Sequence, residues 1–202
     1  DMWWIWGLFA LAGAVQVLNL ATTVPQLLDE AGGMVPFDLR PFGYSYAEAQ
    51  TYLARLTEDG LALYLGPNQQ LDLIAPLLLA AAFVTGFRAW LPPVASLALS
   101  LVAIAGAVAN YAENAMVARL LTETVTEGDV ALASTLTQVK SLSLLLCLAA
   151  LALLAWRAVS LRPAPRRRRR RAGHGGADHD WAGGQVRPYH LRHHRQGPVP
   201  HL

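Results

Sequence analysis

Cysteine and histidine are scarce in this sequence, and their scarcity excludes several kinds of site. A single cysteine, Cys147, permits no intramolecular disulfide, no CxxC redox pair and no cysteine-ligated zinc or iron–sulfur centre. All six histidines lie at or after His174, so residues 1–173 offer no histidine ligand to haem or a metal ion. HExxH, Ser-His-Asp and paired-carboxylate motifs are absent too. We therefore predict no catalytic residues, no metal and no cofactor.

Charged residues are also few, which argues against an ordinary soluble protein. They make up 15% of the 202 residues, whereas soluble domains carry about 25%. Hydrophobic residues reach 54%. The charge is uneven, because residues 1–165 hold seven basic and twelve acidic residues, whereas residues 166–202 hold nine arginines and two aspartates. This composition indicates an integral membrane body followed by a basic tail.

Four apolar segments have the length of about 20 residues that a membrane-spanning helix needs. The alternation of a barrel strand is missing, so we predict an all-α, four-helix transmembrane bundle, residues 1–161. The first segment lacks a basic leader and a cleavage site, which favours a span over a signal peptide. The predicted spans are about 3–21, 71–90, 93–117 and 131–156.

The basic residues beside these segments predict the orientation. Arg88, Arg157 and Arg162 flank one set of helix ends, while acidic residues dominate the loops 22–70 and 118–130. Because positive flanks stay in the cytoplasm, both termini should be cytoplasmic and both acidic loops external. Tryptophans, which favour the membrane interface, lie at the same predicted cytoplasmic ends: Trp3, Trp4, Trp6, Trp90 and Trp156.

The first external loop contains a helix signal. Ser45 and Glu48 have capping-box spacing, apolar residues follow at helical intervals, and Gly60 is a natural stop. We expect a short amphipathic helix that lies on the outer surface or covers the bundle. Asp38 and Arg40 can pair at the surface, although such a pair contributes little.

The tail, residues 162–202, has too few aliphatic residues to bury a core. The run Arg166–Arg171 suits anionic lipid head groups, and no folded nucleic-acid-reading module accompanies it. The cluster around His193 and His194 lacks a carboxylate or cysteine that would complete a metal site. Two interpretations stay open: a disordered cytoplasmic tail, and an out-of-frame translation product.

Polar residues within the spans are predicted to lie at one depth. At 1.5 Å per residue, Asn19, Asp72, Glu113 and Lys140 each lie about 24–30 Å from the cytoplasmic end of their helix. Small and polar residues on the third span form one stripe, in which Asn110 and Asn114 continue Ser96, Ser100, Ala103 and Ala107. Buried charges are costly in lipid unless they face one another. The candidate cluster is therefore Asn19, Asp72, Asn110, Glu113, Asn114 and Lys140.

The pairing within this cluster is open at the level of sequence. Lys140 can reach either Glu113 or Asp72, and the second acid is then either neutral or supplied with donors by Asn110 and Asn114. Three roles compete: a structural clamp, an outward-facing ligand pocket covered by the loop helix, and a proton or ion pathway. The pathway is the weaker interpretation, because the cytoplasmic half has no comparable charged layer.

Several motifs carry a resemblance to a known group of proteins. Asp38–Ser45, Leu71-Asp72 with Pro76, Asn110–Asn114 and Thr137–Lys140 resemble segments of small, uncharacterised four-span bacterial integral membrane proteins. The resemblance covers about residues 3–158, implies a bacterial inner membrane, and implies no known activity.

Together these features predict a non-enzymatic integral membrane protein. It would be an accessory subunit with a membrane-protein partner, or a binder of a small lipophilic ligand. The alternative is a membrane enzyme or carrier acting on a lipid-soluble substrate through Asp72, Glu113 and Lys140.

Overall fold

The computed structural model describes residues 2–160, whose regular elements are all helices, with no β-strand among them. The predicted tail, residues 162–202 with the run Arg166–Arg171, lies outside the described residues. The predicted all-α four-helix bundle is confirmed. Its helices are α1 Trp3–Glu30, α2 Tyr46–Arg55, α3 Glu58–Leu63, α4 Gln69–Trp90, α5 Pro93–Thr122 and α6 Glu127–Ser160.

Four helical stretches are long and apolar enough to cross a membrane, namely α1, the continuous stretch Glu58–Trp90, α5 and α6. They contain 28, 33, 30 and 34 residues, and so exceed the roughly 20 residues that cross the hydrocarbon. Each extends past its predicted span at the end of the bundle that carries the loop between α1 and α4. For example, α1 continues through Pro25 to Glu30. Backbone hydrogen bonding propagates beyond the apolar segment, which is why hydropathy alone predicted helices that are too short.

The distribution of side chains on α5 is that of a lipid-embedded helix. Leu97, Leu101, Ile104 and Val108 form an exposed apolar row, whereas Ser96, Ser100 and Ala103 are buried. Small residues inside and large apolar residues outside suit helices that pack in lipid. The chain is therefore a multi-pass membrane protein.

The long helices pack side by side in the order α1, α4, α5 and α6. At Gly106 a Cβ atom would lie 2.8 Å from Ser143 Cβ, so glycine permits the close approach of α5 to α6. Trp6 and Trp90 stack with ring centroids 5.3 Å apart at the end where α1 begins and α4 ends. We call this the tryptophan end, and the opposite end, with residues 31–68, the loop end.

The predicted loop helix is present but shorter than expected. Ser45 caps α2 and forms the capping box with Glu48, and these hydrogen bonds from Ser45 lower the pKa of the exposed Glu48 carboxyl. The helix ends at Arg55 rather than near Gly60, because Thr57 accepts a hydrogen bond from the Gly60 amide and caps α3. Gly60 lies within α3, and a π-helical turn, Tyr64–Asn68, joins α3 to α4.

Aromatic residues build a hydrophobic core at the loop end. Phe37, Tyr44, Tyr52 and Tyr64 are buried with apolar residues from the ends of α1, α5 and α6. The Arg40 guanidinium lies 5.4–5.6 Å from the rings of Phe37, Tyr44 and Tyr52, a distance at which cation–π attraction operates. Burial raises the pKa of the Tyr44 and Tyr52 hydroxyls, which are therefore neutral beside Arg40.

Gly43 attaches this loop to α6. Its φ of +83° favours glycine, and a Cβ atom there would lie 2.6 Å from Ser134 Oγ. On either side of Gly43, the Tyr44 amide donates to Ser134 Oγ at 2.8 Å and Gln138 Nε2 donates to the Phe42 carbonyl at 3.0 Å. The loop thus rests directly on α6, which places the 3-10 helix Phe37–Leu39 over the bundle.

Candidate functional site

A cavity of about 440 Å³ lies among the long helices and under the loop. Its volume is within the range of small-molecule sites, about 300–1,000 Å³. The wall is apolar over α4, α5 and α6, with Leu79, Phe83, Ala103, Leu144 and Cys147. Its polar lining includes Gln16, Asp38, Asp72, Asn110 and Lys140. The cavity therefore has an apolar body and a small number of polar groups.

Lys140 on α6 pairs with Glu113 on α5. The Nζ atom contacts Glu113 Oε2, and the side chains are 14% and 0% exposed. Thr137, one turn before Lys140, donates its hydroxyl hydrogen to Glu113 Oε1. Both carboxylate oxygens of Glu113 therefore have partners on α6, and the ammonium of Lys140 has a counter-charge in direct contact.

Asp72 on α4 faces the cavity without such a partner. The residue is 8% exposed, and its Oδ2 atom accepts no hydrogen bond from any described residue. Pro76, which also lines the cavity, has no amide hydrogen to donate to the Asp72 carbonyl, four residues earlier in the helix. The side-chain amides of Asn110 and Asn114 lie near the Asp72 carboxyl, but they leave Oδ2 without a hydrogen-bond partner.

Asp38 brings a second carboxylate to the cavity from the loop. Its Oδ1 atom accepts a 2.6 Å hydrogen bond from the hydroxyl of Tyr64, which is 2% exposed. The predicted pairing of Asp38 with Arg40 is wrong, because Arg40 donates instead to the Val35 carbonyl at 2.6 and 2.9 Å. Sequence analysis therefore missed Asp38 as a cavity residue.

The remaining residues of the predicted cluster occupy different places. Asn110 lines the cavity, and its Oδ1 accepts a hydrogen bond from Asn114 Nδ2 at 3.4 Å. The Asn114 carbonyl accepts from Gln69 Nε2 at 3.1 Å. Asn19 is buried on α1 but does not line the cavity, and its Oδ1 has no partner among residues 2–160. The structure thus links Glu113 with Lys140 and Asn110 with Asn114.

The cover of the cavity also differs from the expected one. Asp38, Leu39 and Pro41 line the cavity from the loop, whereas no residue of α2 does. The amphipathic helix instead contributes Ala49 and Tyr52 to the aromatic core at the loop end. Gln16, a second residue that sequence analysis did not include, lines the cavity from α1; its position one turn before Asn19 in an apolar segment was the available signal.

The carboxylates around the cavity are dispersed. Across residues 2–160, no three His, Cys, Asp or Glu side chains lie close enough together to hold a metal ion. The arrangement can place one carboxylate, Asp72, against a polar group of a bound molecule while the apolar wall contacts its remainder.

Comparison with protein-family models, with curated protein sequences and with solved structures found no match for this chain.

Proposed function

We propose that this chain is a non-enzymatic protein of the bacterial inner membrane that binds a small lipophilic ligand in the cavity. The observation that carries the proposal is an apolar wall combined with a buried carboxylate oxygen, Asp72 Oδ2, that lacks a partner among the described residues. An unpaired buried acceptor is costly, and a bound donor removes that cost. The chain would then act either alone as a binding protein or as an accessory subunit that binds the ligand next to a membrane-protein partner.

Filling the cavity tests this proposal. Ala107 lines the cavity, whereas its neighbour Val108 is 60% exposed on the lipid side of α5. The neutral probe 1-naphthylmethanol is titrated into protein in phosphatidylcholine nanodiscs. We expect wild-type protein and Val108→Trp to bind it above the lipid background, and Ala107→Trp to bind at least about tenfold more weakly, which is about 1.4 kcal/mol.

Equal titrations for the two tryptophan variants would contradict the proposal. In that case the probe reports only partition into the nanodisc, and the cavity does not act as a binding site.

The proposed orientation places both termini in the cytoplasm and the loop end outside. The tryptophan end carries Arg88 and Arg157, while the loop end carries most of the acidic residues, as expected for a cytoplasmic and an external face respectively. Under this orientation the polar lining from Asp38 faces the external side.

Thiol labelling tests the orientation. In a Cys147→Ala background, cysteine replaces the exposed residues Glu58 and Glu127 at the loop end, or Arg88 and Arg157 at the tryptophan end. An impermeant maleimide should label only the first two in intact spheroplasts and all four after detergent lysis. Labelling of Arg88→Cys or Arg157→Cys before lysis would show that the orientation is wrong.

A membrane enzyme or carrier is the second candidate function. It is favoured by the proximity of two carboxylates and one ammonium to the cavity, from Asp38, Asp72 and Lys140. Binding alone leaves the ligand unchanged, whereas an enzyme would convert it and a carrier would move it. Conversion or net uptake by proteoliposomes that depends on Asp72, Glu113 and Lys140 would therefore favour this alternative.

A further inference from the structure

The charges around the cavity specify the chemistry of the ligand more closely than the shape of the cavity does. Asp38 and Asp72 line the cavity, and the third carboxylate, Glu113, is in contact with Lys140. With all four groups ionised, the polar region carries two more negative than positive charges. Lys140 is in direct contact with Glu113 alone, so among the described residues neither Asp38 nor Asp72 has an ion-pair partner of its own.

The hydrogen bonds of the polar region leave one buried acceptor of the cavity lining without a donor. Asp38 receives one donor from Tyr64, Asn110 Oδ1 receives one from Asn114, and Asp72 Oδ2 receives none from the described residues. Pro76 removes the helical donor that would face the Asp72 carbonyl. The polar region also has donors, on Gln16, Asn110 and Lys140, but none of them satisfies the buried Asp72 Oδ2 atom. A complementary ligand therefore supplies an N–H or O–H donor at Asp72.

We infer that the cavity selects an organic cation, a protonated amine on an apolar body, with its ammonium group on Asp72. This inference rests on the proposed function. A cation restores the charge balance and donates to the buried carboxylate, and charge-assisted hydrogen bonds of this kind are roughly twice as strong as neutral ones. Leu79, Phe83 and Leu144 in the wall contact the apolar body. A metal ion is a poorer match, because the described acids do not converge into a ligand set.

Three probes with one apolar body isolate the effect of charge: 1-naphthylmethylamine, 1-naphthylmethanol and 1-naphthoate. Each is titrated calorimetrically into protein in phosphatidylcholine nanodiscs, and the signal from Ala107→Trp discs is subtracted. Wild-type protein should bind the amine about tenfold more tightly than the alcohol, and should bind the carboxylate most weakly.

The variant Asp72→Asn should lose this preference. Because the amide has the same shape but no charge, we expect the affinity for the amine to fall further than that for the alcohol, to within about threefold of it. The matched control is Glu127→Gln, which neutralises an exposed acid at the loop end and should leave all three affinities as in the wild type.

Two failures are distinguishable. If the alcohol or the carboxylate binds as tightly as the amine, or if Asp72→Asn retains the preference, the cation inference is wrong. The proposed function then still stands, provided that the alcohol distinguishes wild-type protein from Ala107→Trp. If none of the three probes makes that distinction, the proposed function and the inference both fall.

Discussion

Neutralising one member of the Glu113–Lys140 pair should destabilise the protein by about 3–5 kcal/mol, because a charge would remain buried without its partner. The contact joins α5 to α6 with side chains that are 0% and 14% exposed. The double change Glu113→Gln with Lys140→Met removes both charges and should recover much of the loss. Unfolding by sodium dodecyl sulfate in mixed micelles measures all four free energies of the double-mutant cycle.

Two controls define what this cycle reports. Arg119 in the last turn of α5 and Glu123, the residue that follows α5, form a 3.2 Å pair with side chains 53% and 57% exposed. Neutralising Glu123 should change stability by about 0–1 kcal/mol. A second cycle pairs Asp72→Asn with Lys140→Met, and its coupling energy should be the smaller one. Additive effects of the Glu113 and Lys140 changes would show that Lys140 reaches the membrane interface instead of holding α5 to α6.

Features that depend on neighbouring residues could be predicted from the sequence. The four long helices follow from apolar segments of sufficient length, and the cap of α2 follows from the spacing of Ser45 and Glu48, which are three residues apart. The common depth of Glu113 and Lys140 followed from helix rise alone. Depth could not decide between Glu113 and Asp72 as the partner of Lys140, because both acids were predicted at a similar level.

Features that depend on distant contacts could not be predicted in this way. Asp38 reaches the cavity because its loop rests on α6, through hydrogen bonds between residues 90 and 96 positions apart, Tyr44 to Ser134 and Gln138 to Phe42. Arg40 lies against the rings of Phe37 and Tyr52 and donates to the Val35 carbonyl instead of pairing with Asp38. No periodicity within the loop reports either contact, so an acid that lines the cavity was interpreted as a surface residue.

Removing the Phe37 ring should destabilise the loop end by about 3–5 kcal/mol, the usual cost of truncating a fully buried phenylalanine to alanine. Phe37 is 0% exposed, and its ring lies 4.8 Å from that of Tyr44 and 4.6 Å from that of Tyr52. The matched control in the same loop is Phe42, which is 94% exposed and should change stability by no more than about 0.5 kcal/mol as Phe42→Ala. Thermal unfolding in detergent compares the two variants.

Removing the Phe37 ring should also affect the cavity, because Asp38, which lines the cavity, follows Phe37 directly in the 3-10 helix. When the ring is lost, the loop should open more often while the long helices remain packed, since Phe83, Phe87, Ala103 and Cys147 form a second core that is separate from the core around Phe37. We therefore expect Phe37→Ala to increase the reaction of Cys147, which lines the cavity and is 1% exposed, with an impermeant maleimide. Phe42→Ala should leave that reaction rate unchanged. Equal rates in Phe37→Ala and wild-type protein would mean that the loop does not control access, and that ligands enter between the helices from the lipid.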